Sequence, residues 1–260
     1  MIDYSFSSAE LEYFLCVFVR VSVFVFVAPF FSQKGVPAQV KIVLSLFLSG
    51  LLYNIIGEHP ALTYQTVYGY AVIVLKEALT GLVIGYSTTI CNTIIDFAGR
   101  IIDMETGLSM SNLIDPTTGE SSSMTGVLYQ YVIILMLILS GMHRYLLTAL
   151  SETFILIPVN GAILDPDHLM TSLLTFMKDY ITIGFRICLP VFAVMLLLNA
   201  VLGIMAKVSP QMNMFAVGMQ LKVLVGLCIL FFTAGMLPSI SNFIFTEMKT
   251  MMASFVSTMI

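Results

Sequence analysis

An all-α membrane protein is the fold class this sequence predicts, on three observations. Of 260 residues, 58% are hydrophobic and 10% are charged, whereas soluble domains carry nearer a quarter charged residues. The mean hydropathy is +0.99. The apolar residues also gather into long runs, at roughly 11–31, 38–56, 67–102, 125–142, 172–206 and 214–245. A helix needs about 20 apolar residues to cross a bilayer, so hydropathy alone gives about six crossings. No soluble domain and no domain-sized linker interrupts them. Residues 1–260 therefore read as one membrane-embedded domain of apolar hairpins at about 11–56, 67–142 and 172–245.

The first run follows an acidic stretch, "MIDYSFSSAELEYF", where a secretory leader would be positively charged. It is therefore expected to insert and stay. Arg20 lies inside it with apolar residues on both sides. A charge near the bilayer centre costs at least about 2.5–3.5 kcal/mol, so Arg20 needs an acid on another helix or a place in a larger assembly. Lys41, Lys76, Arg186 and Lys222 raise the same question, although Lys41 can snorkel from its helix end.

The third run carries a stripe. Stepping 100° per residue from Glu77 places Gly81, Gly85, Thr88, Asn92, Asp96, Gly99 and Asp103 within an arc of roughly 100°, with Arg100 at its edge. Gly81 and Gly85 form a GxxxG, which lets a second backbone approach closely. A helix from Glu77 to Asp103 is about 40 Å long, more than the hydrocarbon core of about 30 Å. The stripe is expected to pack on protein. Its length and charge favour an interface with other subunits through Arg20, Glu77, Gly81, Gly85, Asp96, Arg100, Asp103 and Arg186. Helix packing within the chain, with Asp96 and Arg100 neutralising each other at i,i+4, is the alternative.

The segment 104–124, "METGLSMSNLIDPTTGESSSM", has no Lys or Arg and reads as a flexible insert with a turn at Asp115-Pro116 closed by Gly119. Met104, Leu108, Met110, Leu113 and Ile114 are more apolar than a plain connector needs. They suit a loop that folds back into a cavity, where methionine adapts to parting and closing. In the run 172–206, Asp179, Thr182, Arg186 and Pro190 share a face, and Pro190 is expected to kink or interrupt the helix. The turn "SPQMNMF" at 209–215 offers the Gln211 and Asn213 amides to tie a hairpin tip to a neighbour.

The rest is exclusion. A net charge of −4 argues against nucleic acid, which asks for a basic patch. Cys16, Cys91, Cys188 and Cys228 lie in apolar runs without a CxxC and read as buried reduced thiols. His59, His143 and His168 sit apart, so no metal is expected. No GxSxG, HExxH, P-loop or GxGxxG is present, and no enzyme or cofactor is expected. Lys34 and Lys207 place the loops at 32–37 and 208–214 on the cytoplasmic side. Counting puts 104–124 there too, yet it carries only acids, so a simple six-span topology fits poorly.

Several of these residues together resemble the FliR family of flagellar export-gate proteins, called SctT in injectisomes. They are Arg20 with Pro29 and Pro37, "EALTGLVIGY" at 77–86, and "AGRIIDMETGLSM" at 98–110 running into "DPTTG" at 115–119. "PQMNMF" at 210–215, followed by an apolar hairpin, completes the set. The resemblance covers nearly the whole chain. It implies a non-enzymatic structural and gating subunit in the bacterial inner membrane, within the flagellar basal body. Its partners would be FliP and FliQ in a hetero-oligomeric gate, with FlhB associated and unfolded flagellar proteins as cargo. It further implies kinked helical hairpins stacked into a multisubunit assembly, much of it above the bilayer plane. The segment Met104–Met124 would be a pore plug that includes Met104, Gly107, Met110, Asp115, Pro116 and Gly119. Pro210, Gln211, Asn213 and Phe215 would form a cytoplasm-facing hairpin tip. The rival reading is a secondary transporter of a small solute, with Glu77, Asp96 and Arg186 lining a midplane site.

Overall fold

The computed structural model describes residues 8–33, 35–57, 60, 62–112, 123–163, 166–211 and 213–260. Among them the chain is helical: α1 (Ser8–Val27), α2 (Ala38–Ile56), α3 (Val67–Thr106), α4 (Ser109–Asn112), α5 (Met124–Leu139), α6 (Met142–Leu156), α7 (Pro166–Val208), α8 (Met214–Ala234) and α9 (Leu237–Ser257). Four of these, in α2, α3, α7 and α8, are long and apolar enough to cross a membrane, or five if α5 and α6 form one broken span. Six crossings were expected. The first run falls short because α1 carries Glu10, Glu12 and Arg20 within 20 residues. The break between α5 and α6 falls at Gly141, whose φ of 71° is left-handed and open to glycine without strain.

The described residues form two compact units, and α3, α7 and α9 each contribute to both. The first holds residues 1–90, 141–176 and 247–260. In it α1 buries Tyr13, Cys16, Val17, Arg20, Val21, Phe24 and Val25, the spacing of one helical face. The α1 helix runs parallel to α3. Tyr70 Oη donates to the Glu12 carbonyl at the lower end, and Thr89 Oγ1 donates to the Val27 carbonyl at the upper end. Between them the backbones meet at the GxxxG, where a Cβ on Gly81 would stand 2.4 Å from the Arg20 carbonyl oxygen. The α2 helix presents only Ser45, Ser49 and Leu52 as buried residues. Small residues at this spacing let helices approach closely in lipid, and most of its large apolar side chains stay exposed.

The second unit holds residues 91–140 and 177–246. Here the end of α3 is received by glycines on three neighbours. A Cβ on Gly99 would lie 2.3 Å from Gly126 Cα of α5. Phe97 fills the space over Gly184 of α7, and Thr106 fills that over Gly226 of α8. Phe97 also stacks with Tyr180 at 5.2 Å between ring centroids.

Two expectations need correction. Of the kink or interruption expected at Pro190, the interruption does not occur: α7 continues through it as one element of 43 residues, although proline has no N–H to give the Arg186 carbonyl. Membrane-type helices tolerate this where neighbours and local adjustment satisfy the freed group. The insert expected over 104–124 is also shorter. Met104 to Thr106 complete α3, Gly107 turns the chain at φ 82°, α4 follows, and Met124 already belongs to α5. Nothing from Asp103 to Thr106 stops a helix, and polarity alone does not end one. Asp115, Pro116 and Gly119 lie outside the described residues.

Candidate functional site

The charged residues singled out in the sequence divide by burial. Arg20 and Glu77 are fully buried and pair with each other, Arg20 Nε donating to Glu77 Oε2 at 2.6 Å. Arg20 Nη1 donates to the carbonyls of Ile157 (2.9 Å) and Thr153 (3.4 Å) at the end of α6; the Thr153 carbonyl also accepts from the Ile157 N–H. The guanidinium also lies 4.3 Å from the centroid of the Phe154 ring. The other Glu77 oxygen accepts from the Asn160 N–H at 2.9 Å, in a turn that holds Asn160 at φ 67°. One ion pair thus ties α1, α3, the end of α6 and the turn after it. Arg20 Nη2 is buried without a hydrogen bond.

Asp103 is the second buried centre, 1% exposed. Its carboxyl group accepts from Ser123 Oγ at 2.7 Å, from the Thr125 N–H at 3.3 Å, and from Thr125 Oγ1. Ser123 in turn caps α5, its hydroxyl accepting from the Gly126 N–H at 2.8 Å. Asp103 and Ser123 lie at opposite ends of the loop, so this cluster clasps its two stems. The sequence reading missed Ser123 and Thr125. A serine just before an apolar run is an N-cap signal, and it was present in "SSSMTG".

Asp96 and Arg100 pair at 2.9 Å, and both side chains keep access to the outside, 36% and 54% exposed. Arg186 is exposed, and its ring neighbour is Phe243 at 5.3 Å. The eight residues expected at a subunit interface, six of them on α3, therefore divide in two. Arg20, Glu77, Gly81, Gly85 and Asp103 are occupied by contacts inside their own units, while Asp96, Arg100 and Arg186 are open.

Met104, Gly107 and Met110 line a cavity of about 330 Å³ together with Asn199, Phe215 and Lys222. Met104 is 72% exposed and Phe215 74%, so large apolar groups surround a mouth that also holds an amide and an ammonium. At the hairpin tip Pro210 and Gln211 are exposed. Asn213 has a role within its own helix. Its side-chain oxygen accepts from the Ala216 N–H of its own helix, as an N-cap does.

Cys16 and Cys188 are buried and free, but Cys228 is free and exposed on α8. Its place in an apolar run reflects the outer face of that helix rather than a core. His143 stacks near Phe30 at 5.9 Å. Among the described residues no three His, Cys, Asp or Glu side chains gather where a metal ion would sit.

Comparison with known proteins shows the family. Residues 11–248 match the family described as bacterial export proteins, family 1. The flagellar biosynthetic protein FliR of Bacillus subtilis (strain 168) is 31% identical over 219 residues, 84% of each chain. FliR of Aquifex aeolicus is 29% identical over 83% of each chain. FliR of Escherichia coli (strain K12) is 25% identical over 92% of this chain and 90% of its own length. The match takes in the Arg20–Glu77 clasp, the Asp103 clasp and the α7–α8 hairpin alike, and the chain belongs to the bacterial export proteins, family 1, the family of the flagellar biosynthetic proteins FliR.

Proposed function

We propose that this chain is a structural and gating subunit of the type III export gate of a bacterial flagellum, seated in the inner membrane at the basal body. It would pass unfolded flagellar proteins in a hetero-oligomer with FliP and FliQ, with FlhB associated. The observation that carries this reading is the reach of the family match, from residue 11 to residue 248. The role is non-catalytic, in keeping with side chains that are spent on packing and clasping.

Within that reading the loop between the Asp103 stems acts as the plug, with Met104, Gly107, Met110, Asp115, Pro116 and Gly119. Two features support it: the stems are pinned to each other through Asp103, and the methionines at its start line a cavity with Phe215 of the tip. Asp96 and Arg100 are the open charges of the stripe, and they are assigned to the face that meets other subunits. A solute site built from Glu77, Asp96 and Arg186 has less support. Both Glu77 oxygens are engaged by Arg20 and Asn160, and Asp96 is paired with Arg100.

Native mass spectrometry tests the assignment. The tagged chain, expressed with its genomic neighbours and extracted in mild detergent, is expected to appear in a discrete hetero-oligomer with two other small membrane proteins. A stable monomer or homodimer under those conditions sinks the gate reading.

A further inference from the structure

Lys222 is the only charged residue of α8. It stands four residues after Gly218 and four before Gly226, so all three share a helix face. Both glycines are buried, Gly218 against Leu202 of α7 and Gly226 against Thr106 of α3. The lysine therefore lies on an inward face of its helix and is half-buried there. It lines the cavity of about 330 Å³ together with Met104, Met110 and Phe215. Among the described residues Lys222 makes no hydrogen bond and no ion pair. The acids at the end of α3 do not answer it. The Asp103 carboxyl group is taken up by Ser123 and Thr125, and Glu105 does not line the cavity.

The depth of Lys222 in its helix says what can satisfy it. It lies eight residues after Met214 and twelve before Ala234, about 12 Å and 18 Å along the axis. A four-carbon stem does not carry the ammonium to either end. With α8 in lipid, an unpaired ammonium at that depth is costly and out of reach of a headgroup phosphate. With α8 in an assembly above the bilayer, no lipid is at hand, and the exposed Leu224, Leu227, Phe231 and Phe232 need protein to cover them. Both placements ask for the same occupant, a protein surface that is apolar apart from one carboxylate. The cavity suits it. Met104 and Phe215 stand exposed around it, and methionine packs against many shapes. Its volume is many times the roughly 30 Å³ share of one water, so it admits an Asp or Glu side chain.

We propose that this cavity is a docking site for a partner subunit, which inserts one Asp or Glu from an otherwise apolar face to pair with Lys222. The inference rests on the export-gate reading, in which the chain assembles with other subunits, and adds the place and the charge that one of those contacts uses. Lys222 lies outside the set of residues that the sequence assigned to a subunit interface. Helical periodicity along α3 marks a face of α3 alone, whereas Lys222 is marked by burial without a partner, which only the fold reveals.

The test uses the assembled complex, extracted in mild detergent from cells that express the genomic neighbours, and a membrane-permeant carbodiimide. The reagent activates a carboxyl group. An amide bond then forms between Lys222 Nζ and the carboxyl carbon, and the displaced oxygen leaves with the reagent as a urea. Peptide mass spectrometry is expected to find Lys222 joined to an Asp or Glu of another chain. Lys222 joined to an acid of its own chain overturns the proposal, as does Lys222 recovered unmodified. Assembly gives an independent reading. Lys222→Glu sets like charges against each other and should lower the yield of hetero-oligomer at least tenfold, whereas Lys222→Arg should keep it. If the Lys222→Glu chain is itself lost from the membrane, the coupling in the wild type decides. Undiminished assembly of Lys222→Glu overturns the docking site and leaves the gate reading intact. A wild-type chain that forms no hetero-oligomer removes both.

Discussion

At the scale of single residues, the chain handles charge by giving each buried group more than one partner. Arg20 is held by a carboxylate, two carbonyls and an aromatic face, and Glu77 uses both oxygens. Removing one member of such a pair leaves the other charged and dry, which costs about 3–5 kcal/mol. Replacing both with apolar groups of similar volume costs far less. Arg20→Met alone is therefore expected to lower the thermal midpoint of the detergent-solubilised chain and its amount in the membrane, whereas Arg20→Met with Glu77→Leu recovers most of both. If the double variant is as poor as the single one, the clasp matters for more than charge neutralisation.

Among the elements, α3 carries the most organisation. Its lower half lies parallel to α1 across Gly81 and Gly85, and its upper half meets Gly126, Gly184 and Gly226. The stripe was legible because helical periodicity is local: eight residues of one helix can be counted onto one face without knowing what covers it. What covers it was not legible, because Arg20 and Glu77 stand 57 residues apart and periodicity says nothing of long-range pairing. Hydropathy also closed α3 near 102, since Asp103, Glu105 and Thr106 look like loop by polarity. The structure carries the helix to Gly107, the first residue with a reason to stop it. The Asp103 clasp follows from that extension. Asp103→Ala leaves the Ser123 and Thr125 donors buried and unsatisfied, at about 1–3 kcal/mol. Limited proteolysis of the purified complex should then cut between 107 and 123 faster than in the wild type, while cleavage elsewhere stays the same. Unchanged cutting would mean that the Gly99–Gly126 contact holds the stems without the carboxyl group.

For the whole molecule, the same loop sets the functional expectation. Cells carrying a deletion of 106–119 should show raised ion leakage, measured as membrane conductance or as loss of viability under an imposed gradient. Unchanged conductance in an assembled deletion complex counts against the plug and leaves family membership intact. The division of the chain into two units that share α3, α7 and α9 was invisible in a sequence of near-uniform hydropathy with no linker. The Arg20 clasp also imposes an order on manufacture. Arg20 leaves the ribosome in the first helix, but the last of its network, the Asn160 amide that fixes Glu77, is made 140 residues later. At about 5–20 residues per second, the newborn α1 waits on the order of ten seconds before that network is complete. During that interval it has reason to linger at the insertion machinery or the membrane surface, and α1 is expected to settle last although it is synthesised first.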